Sequence, residues 1–467
     1  MLFTSYSFLF LFLPFFFICY LGTPRQWRVY LLLFGSYLFY GFWRFDYCLL
    51  LFTVTLLGYL GGLWIHSGGG RRRTALITSV TLLISLLGWF KYAGFFGESW
   101  NGLASWFGMP GLQIQAPEVL LPIGISFFTF QTLSYVVDVY RGREYCRSFF
   151  DFAAYVALFP QLVAGPIVRY GDVSGEIHKP VVSFDDLREG ISRFMLGFCK
   201  KVWIANNVAP VADWAFAQSD PAMSVAWLGL VCYTLQIYFD FSGYSDMAIG
   251  IGMMLGFRFP ENFRNPYRST SITEFWQRWH MTMSSFFRDY LYIPLGGNRG
   301  GRLRTLCNLV LTMLLAGLWH GAGWTFVAWG GLHGLLLVIH RLWQKSRHVS
   351  VQNPGLLIRS GATLLTLLSV MAGWVLFRSD TLEASWNMYR GLAGLNGFNG
   401  LSLFFARVDA VFLIVLTIGI LAVVFEGRMI RWIPSTSIRR LLLLAAFVSA
   451  VHEIGGQGYN PFLYFQF

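Results

Sequence analysis

Charge is the scarcest feature of this sequence. Of 467 residues, 12% are Asp, Glu, Lys or Arg, about half the 25% or so of an ordinary soluble domain. That shortage excludes a soluble fold, because too little polar side chain is left to cover the surface of so long a chain. Cysteine is scarce as well. The six, at 19, 48, 146, 199, 232 and 307, fall in no CxxC and at no metal-ligand spacing. They read as small buried hydrophobes and imply no disulfide framework. The eight histidines do not cluster and no His-Glu-x-x-His occurs, so no metal centre is expected. No Gly-x-Ser-x-Gly elbow signals a hydrolase serine, and no P-loop signals ATP-driven transport. The ten-residue alternation of a transmembrane barrel is missing too. There is no repeat of fixed period, no low-complexity tract and no appended soluble domain. No basic segment precedes the apolar stretch Phe8 to Leu21, and no small-residue cleavage site follows it. It therefore reads as a first membrane segment and not as a cleavable signal.

What the sequence has instead is apolar length: 55% of it is hydrophobic and 18% aromatic. Continuous runs such as Leu49 to Gly62 and Val411 to Phe425 suit helices, which satisfy their own backbone in lipid. Spans are predicted at roughly 5–21, 28–43, 47–65, 75–95, 224–238, 305–320, 324–342, 357–377, 409–425 and 438–452. The fold class is an all-α polytopic membrane protein, taken as a single integral-membrane domain over 1–467. The net charge of +12 would suggest nucleic acid in a soluble protein. Here it follows from Lys and Arg gathering in cytoplasmic loops, so no nucleic-acid partner is expected. The basic segments at Arg25 and Arg28 and at Arg71, Arg72 and Arg73 have two apolar segments between them. Both then lie in the cytoplasm, with the N-terminus outside.

Between 120 and 203 the apolar pattern is broken by Pro122, Gly124, Asp138, Pro160, Gly165, Pro166 and Lys200. It reads as two or three short or tilted helices joined by re-entrant turns, which lipid tolerates only around a protein-lined cavity. Residues 171–189 read as a polar surface loop. Residues 261–304 carry Arg264, Arg268, Arg278, Arg288, Arg299, Arg302 and Arg304 among Trp276, Trp279, Phe286, Phe287 and Tyr290. Within them, 271–290 reads as one amphipathic helix at the membrane interface. Ser271 is its expected N-cap, with Glu274 completing a capping box.

Polar groups inside apolar runs are the informative outliers, since a charge at a helix centre costs about 2.5–3.5 kcal/mol on insertion scales. Asp240, Ser242 and Asp246 lie in Tyr238-Phe239-Asp240-Phe241-Ser242-Gly243-Tyr244-Ser245-Asp246. They either fix helix packing or line a polar cavity. His333 sits between Trp329 and Leu336, with the same two readings. His320 closes an apolar helix before Gly321-Ala322-Gly323. Glycines there allow a substrate to approach closely, and a neutral imidazole is a general base near pH 7. A core histidine bonded to a carbonyl is the other reading. His280, beside Arg278 and Trp279, reads equally as an interfacial histidine.

Taken together, three segments are specific. They are Phe275-Trp276-Gln277-Arg278-Trp279-His280, Ser284 to Arg299 (SSFFRDYLYIPLGGNR), and Leu318-Trp319-His320-Gly321-Ala322. Support comes from Leu120 to Ser126, from Ser134-Tyr135 with Asp138 to Tyr140, from Phe159-Pro160 to Gly165-Pro166, and from Tyr238 to Ala248. This pattern resembles the membrane-bound O-acyltransferase (MBOAT) family, in the bacterial branch that acetylates alginate, cellulose and peptidoglycan. The likeness runs to about Arg378, with 120–340 as the catalytic core and 378–467 as less similar C-terminal helices. Phe286 stands where the family often has Trp.

The resemblance implies a ring of tilted helices around a tunnel that joins the cytoplasm to the outer face of a bacterial inner membrane. It maps the family's invariant histidine onto His320 and its second histidine onto His280. It implies an acyl donor, acetyl-CoA, used as substrate with no resident cofactor. A periplasmic acetyltransferase or acyl-relay protein of a polysaccharide secretion complex then finishes the transfer. Trp319, Asp240, Ser242, Asp246, Trp276, Trp279 and His333 are the expected lining; Arg278, Arg288 and Arg299 read either as contacts to CoA phosphates or as lipid head-group contacts and plain positive-inside bias. A transporter or flippase of an acyl or glycan carrier, or a non-catalytic scaffold of the secretion complex, remains open at this point.

Overall fold

The computed structural model describes residues 1–346, 355–398, 400, 408–425, 436–456 and 463; among these there are helices and no strand. A π-helical stretch, Ser7–Phe12, leads into α1 (Leu13–Gly22). There follow α2 (Arg28–Gly41), α3 (Tyr47–Ser67), α4 (Arg72–Trp106) and α5 (Ile125–Tyr140). Then come α6 (Phe149–Ala157), α7 (Phe159–Leu162), α8 (Tyr170–His178) and α9 (Phe184–Cys199). Next are α10 (Asn206–Phe216), α11 (Met223–Leu255), α12 (Ile272–Trp276) and α13 (Met281–Phe287). The long hairpin of α14 (Arg302–His320) and α15 (Trp324–Ser346) precedes α16 (Leu356–Arg378) and α17 (Leu382–Leu392). Two more helices, Ala410–Phe425 and Thr436–Gly456, complete the described part.

Six of these are long and apolar enough to cross a bilayer: α3, α4 with its 3-10 lead-in from Gly69, α11, α14, α15 and α16. The chain is therefore a multi-pass membrane protein. Ser7–Gly22 and Ala410–Phe425 are apolar but shorter. Helix α2 has 14 residues, about 21 Å at 1.5 Å each, against a hydrocarbon core of about 30 Å. Burial separates the spans by role. In α11, 83% of the most apolar window is buried, against 28% in α15 and α4. The outer helices instead leave large apolar side chains uncovered, such as Phe34, Ile84, Leu364 and Leu365, as lipid contact requires.

The chain forms two compact units. The first comprises Met1–Ile191 with Ala248–Pro260, and the second Ser192–Met247 with Glu261–Phe467. In the first, the aromatic N-terminus packs as a ladder. Phe8, Phe12 and Phe16 each meet the ring of Phe159. Glycines on α3 let its neighbours close in: a Cβ on Gly58 would strike Thr132, and one on Gly62 would strike the Tyr135 ring. Helix α6 starts at Ser148, whose hydroxyl accepts from the Asp151 amide at 3.2 Å, while the Asp151 carboxylate holds His178 Nδ1 at 2.7 Å. The same unit has a cavity of about 440 Å³, lined in part by Glu176, Lys179, Asp186 and Arg258. None of the sequence-predicted site residues lines it.

Three expectations need correction. Residues 171–189 are not a loop: α8 and the start of α9 occupy most of them. Their charges lie on the outer faces of amphipathic turns, which a polarity count mistakes for a loop. The interval 120–203 holds five α-helices where two or three were expected: Gly124, in the left-handed conformation, caps the start of α5, and Pro160 sits in the first turn of α7, so these residues start helices as well as interrupt them. Residues 271–290 are not one helix. They form α12, a break, α13 and a π-helical stretch, Arg288–Tyr292. Their aromatic residues do not face an interface: Trp276, Trp279, Phe286 and Phe287 are buried. The expected cap does form, with the Ser271 hydroxyl accepting from Glu274 N at 3.2 Å. The return bond shifts by one residue, since the Glu274 carboxylate takes Thr270 N at 2.7 Å and Thr270 Oγ1 at 2.8 Å. Burial opposes charge on Glu274, yet the Thr270 bonds and the Arg278 guanidinium hold its carboxyl below the usual range.

Candidate functional site

In the second unit, local chain geometry aims two histidines inward. Helix α12 stops at Trp276, and the Trp279 amide still bonds Phe275 O at 2.8 Å. His280 then takes the left-handed conformation, with φ 43° and ψ 55°. Few non-glycine residues adopt it, and those that do concentrate where neighbours over-determine the backbone. Here the neighbour is the segment Asn262–Arg264. Arg264 N bonds Arg278 O and Met281 N bonds Asn262 O, each at 2.9 Å. The reversal lets α13 begin at once and leaves the His280 side chain fully buried. Its Nδ1 lies 3.0 Å from Asn262 Oδ1.

His320 is the last residue of α14, and Gly321 leaves the helix in extended conformation. The side chain is 3% exposed. Its position depends on how closely α14 and α15 approach. A Cβ on Gly317 would meet Phe326 O, one on Gly321 the Phe326 ring, and one on Gly330 the Met313 carbonyl. A Cβ on Gly334 would come within 3.0 Å of Val310 Cα. Two Gly-x-x-x-Gly pairs, Gly317/Gly321 and Gly330/Gly334, thus face one another, the small-residue device by which membrane helices touch backbone to backbone. This crossing brings Trp329 to the His320 ring, with centroids 5.1 Å apart.

The histidines share one aromatic enclosure. The rings of His280 and His320 are 6.4 Å apart, with Trp319 at 5.9 Å from the first and 4.9 Å from the second. Phe241 packs edge-on to His280 at 4.6 Å, and Phe377 stands 5.1 Å from His320. His333 continues the wall, 4.8 Å from Trp329 and 5.2 Å from Trp276. Trp279 lies behind, against Trp374 at 5.0 Å and Phe263 at 5.1 Å. Among the described residues, the indole nitrogens of Trp276 and Trp329 and both nitrogens of His333 meet no hydrogen-bond partner. A buried polar atom left without a partner is costly, and native proteins leave few.

Of the sequence-predicted residues, His280, His320, His333, Trp276, Trp279 and Trp319 therefore come together. The other sequence-predicted residues have different surroundings. Asp246 sits where Gly197 and Gly243 let α9 and α11 touch. It accepts from Arg193 Nε at 3.0 Å and from Lys200 Nζ at 2.8 Å, and Arg193 also grips Glu261. Asp240 is buried against Lys201, and its other oxygen accepts from the Leu463 amide at 3.1 Å. Ser242 is buried. Arg278 pairs with Glu274 at 2.6 Å and Arg288 with Asp289 at 2.7 Å, while Arg299 is exposed. Sequence reading missed Asn262, Lys201, Arg193, Phe377 and the glycine pairs. Only the glycine pairs had a signal, their i, i+4 spacing within apolar helices.

The Lys201–Asp240 pair carries a stability prediction. Removing one partner strands a buried charge, which costs about 3–5 kcal/mol, whereas an apolar pair of similar volume is far less harmful. Asp240→Leu alone should sharply lower the thermal unfolding midpoint in detergent. Adding Lys201→Met should recover most of the loss. If the single variant melts with the wild type, the pair does not hold the fold.

The membrane-bound O-acyltransferase family model matches residues 1–355. Over full length, the chain is 43% identical to the probable alginate O-acetylase AlgI of Pseudomonas putida, covering 100% of both chains. To the probable alginate O-acetylase AlgI of Azotobacter vinelandii it is 42% identical, again over 100% of both. It is 36% identical to the peptidoglycan O-acetyltransferase of Helicobacter pylori, across 85% of this chain and 80% of that one.

Proposed function

The chain belongs to the membrane-bound O-acyltransferase family, and we propose that it moves an acetyl group from acetyl-CoA in the cytoplasm across a bacterial inner membrane toward a hydroxyl of an exopolysaccharide. That it is a membrane acyltransferase follows from the family. Acetyl as the group, and a polysaccharide as the final acceptor, are taken from what its relatives are named for. A periplasmic acetyltransferase or acyl-relay protein completes the transfer.

The observation that carries the reading is the pair of buried imidazoles, 6.4 Å apart between ring centroids, at a helix end and at a strained helix start. A hydroxyl is a poor nucleophile until a base takes its proton. In the proposed step, His320 accepts that proton as the oxygen attacks the thioester carbonyl. The carbon–sulfur bond then breaks, and the thiolate leaves with the proton. His280 faces the same reacting groups from across Trp319. The developing oxyanion draws on indole N–H donors of the wall; backbone at the turn offers less, since Gly321 N is already bonded to Gly317 O at 3.3 Å. Of the three arginines, Arg299 has no carboxylate partner among the described residues and is the first expected to meet the donor's phosphates.

Sealed membrane vesicles of both orientations test donor and direction together. Labelled acetyl-CoA, which cannot cross the bilayer, is added outside. Inside-out vesicles should acetylate a lumenal acceptor in a His320-dependent way, and right-side-out vesicles should not. Labelling with the opposite sidedness, or none in either orientation, would overturn the reading.

A further inference from the structure

Asn262 makes four side-chain hydrogen bonds beside this site. Its carboxamide oxygen lies 3.0 Å from His280 Nδ1, 3.0 Å from Thr282 Oγ1 and 3.3 Å from the Thr282 backbone nitrogen. Its amide nitrogen donates to Ser245 Oγ at 3.0 Å. The residue is fully buried. Carbonyl and amino ends of an Asn are told apart by their partners. Here the partner is decisive, because a backbone N–H can only donate. The atom facing Thr282 N is therefore the oxygen. The same oxygen faces His280 Nδ1, and an oxygen without a hydrogen can only accept, so Nδ1 must carry the proton. A neutral imidazole has one N–H and one lone pair, which places the lone pair of His280 on Nε2.

We propose that Asn262 is the positioning residue of the acyl-transfer site, locking His280 as its Nδ1–H tautomer so that Nε2 is the nitrogen that accepts. This inference rests on the acyltransferase reading above for its purpose, but not for its chemistry. The surrounding geometry fits the role. His280 is held in a left-handed conformation by the Met281 N to Asn262 O bond, so the same residue fixes both the backbone and the ring. Ser245, on α11, accepts from the amide nitrogen on the far side; its hydroxyl suits either end of the carboxamide, so it is the Thr282 amide that sets the orientation. Phe241 and Trp319 flank the ring and restrict its rotation. A histidine whose second nitrogen is fixed by a neighbour keeps one nitrogen for one task, and loss of such orienting partners costs roughly 10–100-fold in activity at metal sites of similar construction.

The tautomer can be read without turnover. The protein, labelled with nitrogen-15 at histidine and placed in lipid nanodiscs, gives separate signals for N–H and lone-pair ring nitrogens. His280→Asn, which suits a left-handed backbone, assigns the His280 signals by their disappearance. The wild type should show a protonated Nδ1 and an unprotonated Nε2. Asn262→Leu should lose that fixed state and lower kcat by about 10–100-fold with KM for acetyl-CoA little changed. Asn262→Asp, which keeps an accepting oxygen in place, should retain the Nδ1–H signal and recover activity over Asn262→Leu. A proton on Nε2 in the wild type, or an unchanged tautomer in Asn262→Leu, overturns the proposal. The wild-type spectrum decides the first half whatever the stability of the leucine variant. Full acyl transfer in His320→Ala with the Nδ1–H tautomer intact would instead sink the functional reading and leave this assignment standing.

Discussion

Replacing His320 by alanine is expected to lower acyl transfer by about 10²–10⁴-fold while leaving a folded membrane protein. The range is that of a positioned general base or acid. The prediction rests on where the imidazole sits: at the last turn of α14, buried, with Trp319, Trp329 and Phe377 on three sides. Those contacts also mean that the alanine variant loses packing, so the comparison should include His320→Gln. Glutamine keeps most of the volume but has no lone pair basic enough to take a hydroxyl proton. Both variants should fail alike in initial rates of labelled acetyl transfer, although glutamine should melt closer to the wild type. His333→Gln is the matching control in the same wall and should lose less, because its ring sits beyond Trp329 from His320. A His320→Gln rate within about tenfold of wild type would remove this residue from the proton-transfer step.

The second large effect concerns Gly330. Substituting leucine there should cost about 3 kcal/mol or more and abolish activity even in protein that folds. A Cβ at this position would run into the Met313 carbonyl and come within 3.1 Å of Leu314 Cα. Both are backbone, so α14 and α15 must separate to admit the side chain. Overpacking of this kind costs about 1–3 kcal/mol where side chains can adjust and more where they cannot. Separation also draws Trp329 away from His320, which couples a packing fault to a catalytic one. Gly331→Ala, one residue on, is the control. Its Cβ would meet only Leu314 Cδ2 at 3.6 Å, an ordinary contact. Thermal unfolding with acetyl-transfer rates on both variants is the measurement. A Gly330→Leu protein that melts and turns over like Gly331→Ala would show that the helix crossing does not set the site.

Parts of this molecule were legible before any coordinates. Continuous apolar runs announced α3, α4, α14, α15 and α16, because helix formation in lipid is a local matter of hydropathy and length. His320 stood out because Gly321-Ala322-Gly323 ends an apolar helix beside it, and the helix does end there. The Ser271 cap was readable for the same local reason. Where reading failed, the cause lay at a distance along the chain. Nothing within 271–290 marks the reversal at His280, because its partners are Asn262 and Arg264. For Asp246 the sequence left helix packing and cavity lining open, because its partners Arg193 and Lys200 come from α9 and the π-helical stretch after it, far along the chain.

The sequence by itself determined that this chain lives in a membrane as helices, and it singled out one imidazole at a helix end. Both follow from the order of neighbouring residues, since a shortage of charge and the length of an apolar run are sums over a local window. The tertiary structure alone decided how His280 is turned toward His320, that Trp329 and Phe377 stand against His320, and that Asn262 dictates which nitrogen of His280 bears the proton. Those outcomes depend on close backbone approach at glycines and on bonds between residues far apart in the chain, which no local pattern encodes.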